Sequence, residues 1–347
     1  MKTKLRIGIT GLNNTDNPAP GYGVIKSLLK DRNLKNKIEI VGLSYSEIDS
    51  INFIPEVKEV YIMPYPSQGP DIFLKRIKNI SLDAVIPNLD AELLLYIKYK
   101  KELNNMGIKL LLPTVKSFEY RNKSKLSEVA KKLKIKVPNT YIVNSINDVN
   151  KLVLERKINY PFYIKGLYYK AYKVSNPEDM IEKFFKIANE WGYPLLAQEI
   201  VKGKEINLVG VGKDGQFISS VSIKKLTTTD LGKVWTAISI KNNKLEKIAK
   251  KFVKIFKWSG PFELECIQSG ENIYLIEINP RFPAWVNFAT MLGINLPAMI
   301  IKDLFNIPYK RKKKYDCNKL FYRYVEEGIT DFNNYLTLLT QKQLIKG

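Results

Sequence analysis

The segment Tyr274-Leu-Ile-Glu277-Ile-Asn279-Pro280-Arg281 brings a carboxylate, an amide and a guanidinium close together along the chain. It reads as a strand, in which residues two apart face the same side, so Glu277 and Asn279 point together. Oxygen ligands converging at a strand end suit a hard cation such as Mg²⁺, which takes few carboxylates and completes its shell with substrate phosphates. Upstream, Gly260-Pro-Phe-Glu263-Leu-Glu265 reads as the partner strand of a hairpin about Ser269-Gly270, and Glu263 and Glu265 again share a face. Up to three carboxylates and an amide would then gather across one hairpin, where like charges repel unless a divalent cation neutralises them. A solvated polar hairpin face is the competing reading. Arg281 and the flanking Phe262, Ile276, Ile278 and Phe282 argue against it.

Composition narrows what else the chain can do. It has 347 residues and no histidine, which excludes Ser-His-Asp and Cys-His nucleophile systems and any histidine-ligated metal. Its two cysteines, Cys266 and Cys317, offer neither a disulfide framework nor a metal spacing. A formal charge of +22 raises the question of a nucleic-acid partner. The lysines are dispersed, however, and the one dense run, Tyr309–Tyr315, lacks the interleaved aromatics and glycines of an RNA-recognition strand. No specific nucleic acid is expected. No stretch approaches the roughly 18 uninterrupted apolar residues of a membrane span, and the basic-then-apolar start reads as a buried strand rather than a signal peptide. The expected location is cytoplasmic.

The elements that must position these residues fall into two patterns. Over residues 5–115, strands at Leu5–Thr10, Ile38–Leu43, Glu59–Ile62, Ala84–Pro87 and Lys109–Leu112 alternate with helices at Tyr22–Lys30, Pro70–Asn79 and Ala91–Met106. That alternation predicts a parallel sheet with helices on both faces. The loop Gly8–Gly23 joins a strand to a helix but is too long and proline-rich for a dinucleotide fingerprint. Beyond Pro113 the pattern becomes α+β. A helix at Ser124–Leu133 comes first, followed by strands at Thr140–Val143 and Phe162–Gly166, a helix at Pro177–Trp191 and a strand at Leu195–Val201. Longer strands at Glu205–Val211, Phe217–Ile223 and Lys233–Ile240, a helix at Lys244–Phe256 and the hairpin strands Pro261–Ile267 and Ile273–Ile278 complete it.

Glu277-Ile-Asn279-Pro-Arg281, with Glu265 twelve residues upstream, closely resembles the metal motif of ATP-grasp enzymes such as biotin carboxylase and carbamoyl phosphate synthetase. The resemblance implies that Glu265, rather than Glu263, joins Glu277 and Asn279 in holding Mg²⁺ against ATP, with Mn²⁺ able to replace it. It implies that Arg281 stabilises the transferring phosphoryl group. Lys165, ending Tyr160-Pro-Phe-Tyr-Ile-Lys165, matches the family's strand lysine. Lys123, fifteen before Pro138, matches its earlier basic residue, with Lys125 a rival. Gln198-Glu199-Ile200-Val201 resembles the hinge that binds adenine through its backbone, and Glu205 falls where a ribose-binding glutamate lies. Lys225, or its neighbour Lys224, would reach the terminal phosphate. The family's glycine-rich flap is replaced by Gly166-Leu-Tyr-Tyr-Lys-Ala-Tyr-Lys, where Lys170 or Lys173 would substitute for backbone amides. Without histidine, bicarbonate activation for biotin carboxylation is not expected. The Gly8–Gly23 loop would frame the acceptor substrate.

The resemblance covers roughly residues 5–305 and implies an α/β and α+β architecture, a parallel-sheet domain followed by a two-lobed ATP-grasp domain with ATP between the lobes. The expected domains are 1–115, 116–198, 199–312 and an appended segment, 313–347, read as a strand and a helix. The implied activity is an ADP-forming ligase that activates a carboxylate as an acyl phosphate and joins it to an amine, an amino acid or peptide. Two alternatives stay open: phosphorylation of bicarbonate or carbamate, and a non-catalytic nucleotide- or RNA-binding protein. Small-molecule or peptide substrates are the expected partners, and a homodimer is left open.

Overall fold

The computed structural model describes residues 4–15, 17–167, 170–230, 232–311 and 314–346. It divides into two compact units built from interleaved stretches: residues 1–118, 207–264 and 279–347 in one, residues 119–206 and 265–278 in the other. The sequence reading draws consecutive blocks instead. A chain that leaves a unit and later re-enters it carries no compositional mark where it crosses.

The first unit opens with the expected strand–helix alternation. Strands β1 (Leu5–Ile9), β2 (Ile38–Ser44), β3 (Val57–Ile62) and β4 (Ala84–Ile86) are parallel, β1 pairing with both β2 and β4, and β2 with β3. The helix Gly21–Lys30 follows β1 and buries Val24, Ile25 and Leu28 in one core with Val286, Ala289 and Ile300. Its first residue has to be small. The Gly21 N–H donates to the Gly11 carbonyl at 2.9 Å, and a Cβ there would meet the Gly11 and Thr10 carbonyl oxygens at 2.3 and 2.4 Å. Any side chain would push the helix off the β1 loop.

Two expectations in this unit need correction. The segment Ala91–Met106 is not one helix but two, Asp90–Lys98 and Lys100–Asn105, broken at Tyr99, whose φ of −99° and ψ of 19° leave the helical region. The expected strand Lys109–Leu112 contributes a single parallel bridge, Lys109 to Ala84.

Residues after 313 do more than append a strand and a helix. They supply edge strands to two sheets. Strand β14 (Leu320–Tyr322) pairs antiparallel with β11 (Val234–Ile240), and β15 (Gln343–Ile345) pairs antiparallel with β3. The N-terminal sheet therefore runs β15-β3-β2-β1-β4, parallel except at one edge. The Tyr315 hydroxyl fastens the approach to β14, donating to the Ile240 carbonyl at 2.8 Å and accepting from the Ser222 N–H at 2.9 Å.

The second unit holds an antiparallel four-stranded sheet in the order β5 (Thr140–Val143), β8 (Leu195–Glu199), β6 (Phe162–Lys165), β7 (Ala171–Val174). Phe162, Ile164 and Leu195 pack with Met180, Phe184 and Ile187 of the helix Pro177–Trp191. A helix at Ile146–Leu154, which the sequence reading leaves out, starts at Ser145, whose hydroxyl accepts from the Asp148 N–H. A six-stranded sheet runs β13 (Asn272–Asn279), β12 (Gly260–Ser269), β9 (Lys204–Lys213), β10 (Gln216–Thr228), β11, β14. Among the described residues no helix is long and apolar enough to cross a membrane.

Candidate functional site

The residues that open the sequence argument sit on β12, β13 and the turn after them. Glu263 and Asn279 are buried, while Glu265 and Glu277 are half-buried. Glu263 is turned into the core, where it accepts from Asn207 Nδ2 at 2.7 Å and Trp285 Nε1 at 2.8 Å on Oε1, and from Asn279 Nδ2 at 3.0 Å on Oε2. Glu263, the carboxylate that the resemblance already sets aside in favour of Glu265, is thus taken up by these donors. Among the described residues no group of three or more carboxylate, cysteine or histidine side chains could hold a metal ion. What β12 and β13 offer is Glu265, Glu277 and the amide of Asn279. Two carboxylates and one neutral oxygen are a donor set that fits Mg²⁺ once phosphates complete the shell, since Mg²⁺ seldom takes an all-protein cage.

Arg281 is 8% exposed, and its orientation is fixed from three sides. Nε donates to Asp90 Oδ2 at 2.7 Å, Nη1 to the Phe282 carbonyl at 3.2 Å and Nη2 to Asn279 Oδ1 at 3.4 Å. Asp90 is the first residue of the helix Asp90–Lys98. Its carboxylate is therefore favoured by the helix N-terminus as well as by the guanidinium. Behind it, Glu92 is fully buried. It accepts from the hydroxyls of Thr10 and Tyr45 and from the N–H groups of Asn88 and Leu89. Burial pushes its carboxyl above the ordinary range, against these hydrogen bonds.

In the second unit, the two rival lysines separate. Lys123, on the short 3₁₀ turn Lys123–Lys125, places Nζ 3.8 Å from Glu277 Oε1. Lys125 turns away to Glu119 Oε2 at 2.7 Å. Lys165, the last residue of β6, donates from Nζ to Gln198 Oε1 at 2.6 Å and lies 5.1 Å from the centre of the Tyr163 ring. Burial pushes its ammonium down to about 8, helped by the charge of Lys123 and opposed by Glu277, Glu265 and Glu205. That set of charges marks one neighbourhood, with Lys123, Lys165, Glu205, Glu265 and Glu277 all within electrical reach.

Gln198 and Glu199, expected at a hinge, end β8. The Gln198 side chain is engaged at both ends, because Nε2 also donates to Thr140 Oγ1 at 2.8 Å. The Glu199 carboxylate accepts from Asn139 N and Nδ2, both at 2.9 Å. Val201 and Glu205 follow, half-buried and exposed respectively. Lys225 is half-buried on β10 opposite Ala237, where the register with β11 shifts, and it belongs to the other unit. Of the expected flap, Tyr168 and Tyr169 lie outside the described residues. Lys170 pairs with Glu190 at 2.5 Å, and Lys173 lies on β7. Sequence reasoning missed Asp90, Asn207 and Trp285. A signal for Asp90 was present, an acid opening a helix in Asn88-Leu-Asp90-Ala-Glu92. None marked Asn207.

This chain carries the ATP-grasp superfamily fold, related to that of carbamoyl phosphate synthase large chains and of biotin carboxylase domains. Residues 193–327 match the family described as ATP-grasp in the biosynthetic pathway with Ter operon. The carbamoyl phosphate synthase large chain of Saccharolobus islandicus is 22% identical over 83% of this chain, a match that spans 29% of that relative's length. Among solved structures, the L-amino acid ligase from Bacillus licheniformis superposes with a TM-score of 0.64 at 15% identity, covering 88% of this chain and 75% of that one. N5-carboxyaminoimidazole ribonucleotide synthetase from Thermus thermophilus gives 0.66 at 14%, covering 90% and 81%.

Proposed function

We propose that the protein is an ADP-forming ligase, which transfers the γ-phosphoryl group of ATP to a substrate carboxylate and lets an amine displace the phosphate from the acyl carbon. The observation that carries this reading is the arrangement along β13, with Glu277 beside Lys123 and, two residues on, an Asn279 whose amide is fixed and which contacts Arg281. Glu265, Glu277 and Asn279 would hold Mg²⁺, and Mn²⁺ in its place. When bound, the cation would neutralise phosphate charge. Lys123 and Lys165 would bind phosphate oxygens, Gln198 keeping Lys165 extended. Gln198, Glu199 and Val201 would offer backbone groups to the adenine, and Glu205 its carboxylate to the ribose. Arg281, locked by Asp90, would present a guanidinium that needs no reorganisation as charge develops on the transferring group. Lys225 remains a proposal from the resemblance alone.

Sequence relatedness to carbamoyl phosphate synthases favours a second reading, phosphorylation of bicarbonate or carbamate. A screen of ADP release over carboxylates and amines, with a bicarbonate-only arm, separates the two. The ligase reading expects release that requires a carboxylate and is increased by an amine. Release driven by bicarbonate alone would reject it.

The depressed Lys165 ammonium gives a test that needs no substrate. A polyphosphate favours the charged lysine, so binding above about 8, to which burial pushes the group in the unliganded protein, takes up a proton. ADP affinity should then fall as pH rises from about 8 to about 10, by up to roughly tenfold per unit. Lys165→Arg keeps the charge at every pH and should flatten the profile, read by calorimetry in buffers of different ionisation enthalpy. A flat profile in the unaltered protein together with unchanged ADP affinity in Lys165→Arg and Lys165→Met would remove Lys165 from the nucleotide site.

A further inference from the structure

Glu263 is 3% exposed, yet the side chains that hydrogen-bond its carboxylate include an indole and two amides. All three must donate. An indole N–H has no acceptor lone pair to offer, and each amide can meet a carboxylate only through its NH₂ end. Asn207 shows how strongly this orientation is enforced. It is 1% exposed and gives its amide to Glu263 while its own Oδ1 has no hydrogen-bond partner. Asn279 obeys the same constraint. With Nδ2 held on Glu263 Oε2, its Oδ1 leaves the amide carbon on the other side, the side on which Arg281 Nη2 approaches.

We propose that Glu263 is a positioning residue that decides which end of the Asn279 amide faces the cation. The proposal rests on the reading of Asn279 as a Mg²⁺ ligand. An asparagine can bind a cation only through Oδ1, and an amide rotates by half a turn with little change of shape. A glutamine in its place, its oxygen held by Asn207 and Trp285, would turn its NH₂ group to Asn279 and favour the opposite end. A buried carboxylate accepts only one, and so removes the orientation in which Nδ2 would point at the metal. Outer partners that orient a ligand in this way typically account for about 10- to 100-fold in metal affinity.

The arrangement predicts a compensating pair. In E263Q, the new amide keeps its oxygen on Asn207 and Trp285 and turns its NH₂ group towards Asn279. Asn279 then either flips and sets its own NH₂ group against Arg281 Nη2 or stays and faces the new NH₂ group donor to donor, so that Oδ1 is no longer held for the cation. In N279D, two carboxylates face each other. In the double variant E263Q/N279D, the introduced amide donates to one oxygen of the introduced carboxylate and the other oxygen faces the cation, with the charge of the pair conserved. The experiment is calorimetric binding of ADP with Mg²⁺ and with EDTA, in the full chain and in E263Q, N279D, the double variant and E277Q, each checked by thermal unfolding. Expected is a loss of about tenfold or more in the Mg²⁺-dependent gain for E263Q, each variant being read against its own metal-free affinity, with most of the gain recovered in the double variant. N279D, in which a cation relieves the repulsion of two facing carboxylates, keeps its gain. Full gain in E263Q, or no recovery in the double variant, overturns the proposal. Should E263Q fail to unfold cooperatively, the double variant is compared with the unaltered chain, and loss of its Mg²⁺-dependent gain overturns the proposal. E277Q tests the metal site apart from Glu263. Full Mg²⁺-dependent gain in E277Q rejects the metal site itself, whereas loss in E277Q beside full gain in E263Q rejects only the role of Glu263.

Discussion

Glu277→Gln should lower Mg²⁺-dependent ADP release by roughly 100- to 1,000-fold while leaving the fold untouched. The change is nearly isosteric and removes one negative charge from the cation's side of β13. Its structural cost is small, because the Glu277 side chain is 36% exposed and its ion pair with Lys123 is long, at 3.8 Å. Partly exposed pairs of that kind contribute about 0–1 kcal/mol. The melting temperature should therefore move by no more than about 2 °C. Lys123 would also lose its carboxylate neighbour, which strengthens its hold on free phosphate. Metal-free ADP affinity should consequently stay level or rise as turnover falls. Turnover like that of the unaltered protein, at unchanged Mg²⁺, would mean that the cation binds elsewhere.

What could be read from the sequence was what lies close along the chain. Glu277, Asn279 and Arg281 fall within one strand and its turn, so a period of two suffices to group them. Partners brought in by topology left no trace. Arg281 meets Asp90 across 191 residues, and Glu263 meets Asn207 across 56. Glu263 illustrates the difference. It shares a strand face with Glu265, and although the spacing to Glu277 favours Glu265, nothing in the sequence shows the three donors that surround Glu263. Lys123 and Lys125 are the same residue two positions apart, and a 3₁₀ turn with Glu119 beside it separates them. Tyr99 interrupts a helix through which the apolar pattern runs unbroken. The edge strands β14 and β15 are three residues each, too short for alternation to signal, and are held by pairing with β11 and β3.

If the carboxylate is activated as an acyl phosphate, hydroxylamine should capture it. The carboxylate oxygen takes the γ-phosphoryl group and ADP leaves. The hydroxylamine nitrogen then attacks the acyl carbon, phosphate departs with the C–O bonding pair, and a hydroxamate remains. Hydroxamate, ADP and inorganic phosphate should therefore accumulate in equal amounts, with no AMP. Developing charge on the transferring group can be met at Arg281. Arg281 is held by Asp90 at 2.7 Å and by the Phe282 carbonyl at 3.2 Å, next to the Asn279 amide. Such a pre-set guanidinium suits the charge spread over a transferring γ-phosphoryl group and its bridging oxygen. Arg281→Lys keeps the charge but loses the planar fork, so hydroxamate and ADP should fall together, by about 100-fold or more. A synthetase that adenylates its substrate breaks the chain between the α and β phosphates instead. Stoichiometric AMP and pyrophosphate, with hydroxamate formed at the same rate, would leave the fold as described and reject γ-phosphoryl transfer as its chemistry.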